Sequence, residues 1–123
     1  MAANVTLEIV LVGGNIEFRS GGTPVTGDVY VHRGNLIKFT SARPFAIFIK
    51  GFAARPRRPA ALRVKAGKES PIEGQGIVFA SDIHGEAKLK IRQLARLGTY
   101  WYGVAVLGTS GRIATLDPRI IIE

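Results

Sequence analysis

No cysteine occurs in the 123 residues, which removes disulfides, thiolate metal sites and a cysteine nucleophile together. Stability must therefore come from burial and hydrogen bonding. Methionine occurs once, at position 1, and tryptophan once, at Trp101. No run approaches the roughly 20 apolar residues that cross a bilayer as a helix, so no membrane span is expected. The opening MAANVTLEIVLVGG has no basic stretch ahead of its apolar residues, and Thr6 and Glu8 interrupt them. It reads as a first strand and not as a signal peptide. Long helical periodicity is missing as well. Its only candidates are a turn around RQLARLG (92–98) and the segment around Arg55, where Pro56 and Pro59 each remove a backbone donor. No internal repeat or low-complexity tract is present.

What is present is alternation. With 46% hydrophobic and 21% charged residues the composition is that of an ordinary folded chain, and the length suits one domain over residues 1–123. Period-two segments recur at VTLEIVLV (5–12), IEFRS (16–20), GDVYVHR (27–33), NLIKFT (35–40), FAIFIKG (45–51), ALRVKAG (61–67), GIVFAS (76–81), AKLKIR (87–92), TYWYGVAV (99–106), RIATL (112–116) and RIIIE (119–123). Glycine-rich turn signals separate them, and Gly34-Asn35 suits a tight turn. The expected fold is an all-β Greek-key sandwich of cupredoxin-like or immunoglobulin-like topology. Alternation also assigns faces. Leu89 and Ile91 point opposite to Lys88, Lys90 and Arg92; Tyr100, Tyr102, Val104 and Val106 form the better core set, which leaves Trp101 outside beside the small Gly103 and Ala105. Phe48 is expected in the core.

GNLIKFTSARPFAIFI (34–49), followed by LGTYWYGVAV (97–106) and the closing RIIIE, resembles the layout of the cupredoxins, the blue-copper β-sandwich proteins. Set against that layout, Phe45 stands where the first histidine ligand would follow Pro44, Val104 where the copper cysteine would stand, and Leu107 near the second histidine. The resemblance therefore implies the fold without the copper, and neither a thiolate nor an axial thioether is available. The ending YWYGVAV, GTSGR, LDPRIIIE is also similar to small copper-free, cupredoxin-like bacterial domains, a likeness that implies fold and not activity. No cofactor is expected.

Catalytic constellations are weak. Asp82, His84 and Glu86 in DIHGE would share one face of a strand and are of metal-ligating type, but Gly85 and the polar mix suit a turn equally well. GTSGR (108–112) is a hairpin and not a nucleophile elbow, and GQG (74–76) precedes a strand where a phosphate cradle would follow one. The expectation is a chain that is not an enzyme.

Charge is the stronger signal. The net charge is +8, and residues 33–96 hold fourteen Lys and Arg against four acidic residues, whereas 1–32 and 97–123 carry −2 and zero. Within this segment FAARPRRPA (52–60) opens a run of Arg55, Arg57, Arg58, Arg63, Lys65 and Lys68. Planar guanidinium groups favour phosphates and carboxylates. The sequence thus reads as a non-catalytic binding or structural module whose contact residues are Arg55, Arg57, Arg58, Arg63 and Trp101. The partner is a protein or a polyanion, nucleic acid included. The alternatives are a nucleic-acid or other polyanion-binding protein, and a self-assembling structural subunit, a homo-oligomer joined through exposed strand edges at VTLEIVLV or RIIIE.

Overall fold

The computed structural model describes residues 4–54, 62–63, 69–108 and 111–123, with backbone alone at 53–54 and 62–63. Two sheets face each other. The first has the order β3-β2-β1-β5-β9, formed by β1 (Asn4–Val12), β2 (Asn15–Ser20), β3 (Thr23–Val25), β5 (Leu36–Ser41) and β9 (Glu86–Lys90). The second has the order β4-β12-β10-β6-β7, formed by β4 (Val29–Val31), β6 (Phe45–Ala54), β7 (Leu62–Arg63), β10 (Gly98–Leu107) and β12 (Arg119–Ile122). Two short strands complete it: β8 (Val78–Ala80) pairs with β6, and β11 (Ile113–Leu116) with β10. The all-β sandwich expected from the alternation is what the chain forms. None of the described residues is helical, and no helix among them is long and apolar enough to cross a membrane.

Two pairings are parallel, β1 with β5 and β4 with β12. They correct the expectation of exposed edges at 119–123 and over most of 5–12, where β1 runs past the end of β5 only beyond Ile9. β1 lies between β2 and β5, and β12 between β4 and β10. Likewise Gly34-Asn35 makes a turn, with the Asn35 N–H donating to His32 C=O at 3.1 Å, yet it joins β4 of one sheet to β5 of the other and closes no hairpin. The β10 register runs without a shift from Leu107↔Ile113 to Trp101↔Arg119, so β11 and β12 are one course interrupted at Asp117-Pro118. Pro118 offers no N–H, but its carbonyl accepts from Tyr102 N at 3.0 Å and keeps the ladder closed. β3, with Pro24 among its three residues, went unread in the sequence because it is short and lies at a sheet edge.

The core follows from the alternation. Tyr100, Tyr102, Val104 and Val106 of β10 are buried, and Phe18, Ile37, Phe39 and Leu89 answer them from the other sheet. Burial of each such side chain contributes about 1.5–3 kcal/mol. The ion pairs, among them Lys50–Asp117 at 2.8 Å and Arg119–Asp28 at 2.8 Å, are exposed and worth about 0–1 kcal/mol each. Apolar packing therefore holds the sandwich, and the charges are free to serve its surface.

Candidate functional site

Two surfaces of the sandwich are candidates. The first is one pole of the sandwich, where β6 ends and β10 begins. Ala54 is the Cα partner of Gly98, so the chain leaves β6 toward residues 55–61 at this pole. Arg33 approaches it from the turn between β4 and β5, and Arg92 and Arg96 from the link between β9 and β10. Their guanidinium groups are held by the scaffold. Arg33 Nε donates to Ala95 C=O at 2.8 Å, Arg92 Nη1 donates to Ser70 C=O at 2.8 Å, and the Arg96 Cζ sits 4.7 Å from the centre of the Phe52 ring. Among the described residues neither Arg33 nor Arg96 is paired with a carboxylate.

The buried Tyr100 lies among these three arginines. Its hydroxyl donates to Arg96 C=O at 3.0 Å. Burial pushes the hydroxyl pKa up to about 12, while the nearby charges of Arg96, Arg92 and Arg33 work in the opposite sense. Arg33 holds the Ala95 carbonyl, Tyr100 the Arg96 carbonyl, and Arg96 covers the Phe52 ring 4.6 Å from that of Tyr100, so Arg33 and Arg96 meet at one pole although 63 positions separate them in sequence. No short-range signal could have announced that convergence. Arg33 and Arg96 are the functional candidates that sequence reasoning missed.

Of the residues that reasoning named, Arg55, Arg57 and Arg58 lie outside the described residues, and Arg63 is described only in its backbone, where it pairs with Gly51. Phe52 is buried and Arg96 covers its ring, so it offers no free face for a nucleobase. Lys88 and Lys90 point outward as alternation required, on the edge strand β9, with Lys38 and Lys88 directly opposite each other. Lys38 meets Glu86 at 3.0 Å.

The second surface is the outer face of the β10 sheet. Trp101 lies there, half-buried, as the alternation of β10 predicts. Phe48 lies there too, which corrects its expected place in the core: Phe45, Ile47 and Ile49 point inward, and Phe48 is half-buried on the opposite face. A Cβ on Gly103 would come within 2.5 Å of the Phe48 ring, so the glycine gives that ring its seat. The space that the small Gly103 leaves beside Trp101 is thus occupied from the neighbouring strand. Tyr30 at 64% exposure and Val78 at 63% extend the apolar face on either side. Its charges cancel locally through Lys50–Asp117 and Arg119–Asp28.

Asp82, His84 and Glu86 do not share one strand: Asp82 and His84 lie in the turn between β8 and β9 and Glu86 opens β9, with Asp82 Oδ1 accepting from His84 N at 2.8 Å and Glu86 N at 3.0 Å. The Glu86 hydrogen bond leads in holding the Asp82 carboxyl below its usual range. His32 is elsewhere, its Nδ1 3.1 Å from Glu123 O. Among the described residues no three His, Cys, Asp or Glu side chains gather as a metal site. At the positions matched to copper ligands, Phe45 and Val104 are core side chains and Leu107 is exposed; none carries a donor atom.

No protein-family model matches the sequence, and no curated protein shows significant similarity to it. Solved structures of amicyanin, a cupredoxin, are similar to the chain. A methionine-to-alanine mutant in its Cu(I) state is 16% identical with a TM-score of 0.41, and a proline-to-glycine mutant in its reduced Cu(I) form at pH 4 is 14% identical with a TM-score of 0.42. A reduced tryptophan-to-tyrosine mutant is 13% identical with a TM-score of 0.40. Each comparison covers 98% of this chain and 82% of the amicyanin chain.

Proposed function

We propose that this chain is a non-catalytic binding module that captures a polyanion through its arginine pole. The observation that carries this reading is the meeting of Arg33 and Arg96 beside Phe52 and Tyr100, at the pole where β6 ends and β10 begins. Guanidinium groups whose Nε or ring contact is already fixed lose little conformational entropy when their remaining N–H groups meet phosphate or sulfate oxygens. Trp101 lies about 10 Å along β10 from Gly98, at about 3.4 Å per residue, and bounds the pole on the outer face. The aromatic rings at the pole itself, Phe52 and Tyr100, are buried. Recognition there rests on charge along a chain and not on stacked bases.

The test is retention of a dT20 oligonucleotide and of heparin at rising salt. Both are expected to bind at low salt, with affinity falling steeply as salt rises. The R33A/R96A double variant should weaken binding about tenfold at low salt and lower the oligonucleotide salt slope, by roughly 0.7 per lost phosphate contact. R55A/R57A/R58A should weaken it further. Binding of heparin alone would make the ligand a sulfated chain. Absent or salt-independent binding would overturn the reading.

A second reading, a self-assembling subunit, is favoured by the outer face bearing Tyr30, Trp101, Phe48 and Val78. Its locally cancelled charge allows two molecules of net charge +8 to approach there with least repulsion. Sedimentation from micromolar to millimolar concentration should then show a defined dimer that Trp101→Ser converts to monomer. A monomer throughout that range excludes it.

A further inference from the structure

A cleft of about 980 Å³ opens between the end of β1, the turn after β5 and the β10–β11 hairpin. Leu11 and Ile113 contribute apolar wall, Arg43 and Arg112 line it, and Glu8 stands among the lining residues, leaving one net positive charge. Neither arginine is paired with a carboxylate among the described residues. Arg43 Nε is committed to Leu107 C=O at 3.0 Å, which fixes that guanidinium and leaves its Nη groups to act.

The backbone of the cleft is as informative as its side chains. β1 and β2 meet at a two-residue turn with Val12 opposite Asn15. Residues flanking such a turn exchange both hydrogen bonds, so Val12 and Val10 direct their N–H and C=O toward β2, and Leu11 directs its own the other way. On that other side β5 runs beside β1 only from Asn4↔Leu36 to Ile9↔Ser41. The Ser41 hydroxyl donates to Ile9 C=O at 2.8 Å, which confirms where the odd-numbered carbonyls point. Two residues later β5 has ended. Among the described residues Leu11 pairs with Ile16 of β2 alone, and its outward N–H and C=O meet no strand. A donor and an acceptor spaced as in a strand therefore line an apolar wall beside two guanidinium groups.

We infer that this cleft binds the C-terminal end of an extended apolar peptide. The peptide backbone adds to the β1 overhang through the Leu11 N–H and C=O, and its terminal carboxylate meets Arg43 and Arg112. An apolar side chain packs against Leu11 and Ile113. The overhang beyond Ile9 spans three residues, too few for backbone pairing alone to hold a ligand. The charge-assisted bonds must supply the rest, and a terminal carboxylate delivers them within the same few residues. The cleft shares no residue with the arginine pole, so the two readings fail independently.

The experiment titrates 15N-labelled protein, and in parallel measures fluorescence polarisation, with pooled acetylated pentapeptides ending in Val, Leu or Ile. Free-carboxylate peptides are expected to shift the amides of Leu11, Val12 and Arg43. Amidating the carboxylate, or replacing Arg112 by alanine, should weaken binding about tenfold or more, as for loss of a hydrogen bond to a charged group. Lys88→Ala, which removes a distant charge, should leave binding unchanged. N-methylating the peptide's penultimate nitrogen tests the strand pairing without altering the protein. No binding at millimolar peptide overturns the inference. So does equal binding of the amidated peptides, or uptake of free fatty acids with no uptake of peptides.

Discussion

Replacing Tyr102 by alanine is expected to destabilise the protein by about 3–5 kcal/mol, a large part of the 5–15 kcal/mol typical of a domain. The ring is fully buried, 5.5 Å from that of Phe39 across the sandwich, and the hydroxyl donates to Gly27 C=O in the link that carries the chain from β3 to β4. The substitution opens a cavity and leaves that carbonyl without its partner. Thermal melting followed by circular dichroism should show most of the cooperative transition lost or moved down by well over 10 °C. Tyr102→Phe keeps the packing and should lose only about 1–2 kcal/mol. Alkali separates the two effects. Burial holds the Tyr102 hydroxyl far above its usual range and that of Tyr100 at about 12, against 10.0 for an ordinary tyrosine. A pKa raised on folding gives stability that is complete below pH 10 and is lost as pH rises beyond it. The wild type should therefore lose thermal stability between pH 10 and 11, and Tyr102→Phe should lose less. Equal alkaline losses in the two proteins would contradict the assignment.

Gly85→Ala is expected to destabilise by about 2–4 kcal/mol, read as a fall in melting temperature of roughly 10 °C. Gly85 holds a φ of 75°, where a side chain is strained, and an added Cβ would run into the Ser41 carbonyl oxygen. The backbone cannot step aside, because Ser41 N–H donates to Gly85 C=O at 3.0 Å and Gly85 N–H to Asp82 C=O at 3.0 Å. Gly74 has a φ of 89° with nothing within 4 Å of its added Cβ. Gly74→Ala should therefore lose only about 1 kcal/mol. If the two variants melt alike, the close approach to Ser41 contributes nothing.

What alternation can express, the sequence expressed. In AKLKIR the buried Leu89 and Ile91 and the exposed Lys88 and Lys90 stand as period two requires, and so do the two faces of β10. Phe48 was misplaced because an aromatic in an apolar strand looks like core. Its actual cover comes from Gly103 on the next strand, a relation between chains of residues 55 positions apart. The same limit hid the site. Arg33 and Arg96 come together only once β4 and β10 are in place, and the open Leu11 edge exists because β5 stops at Ser41 while β1 continues to Val12. Local pattern specifies which way a residue faces, and strand order specifies whom it meets.

The parallel pairing of β4 with β12 has a temporal side. In its sheet β4 has β12 as its neighbour, and the Arg119–Asp28 contact that ties the two spans 91 positions. At translation rates of about 5–20 residues per second, roughly 5–20 s pass between the emergence of β4 and that of its partner. Throughout that interval Val29 and Val31 have no strand to lie against, and the Gly27 carbonyl waits for Tyr102 for nearly as long. The growing chain thus carries an unmated strand through that whole interval, and closure of the second sheet waits on the arrival of β12.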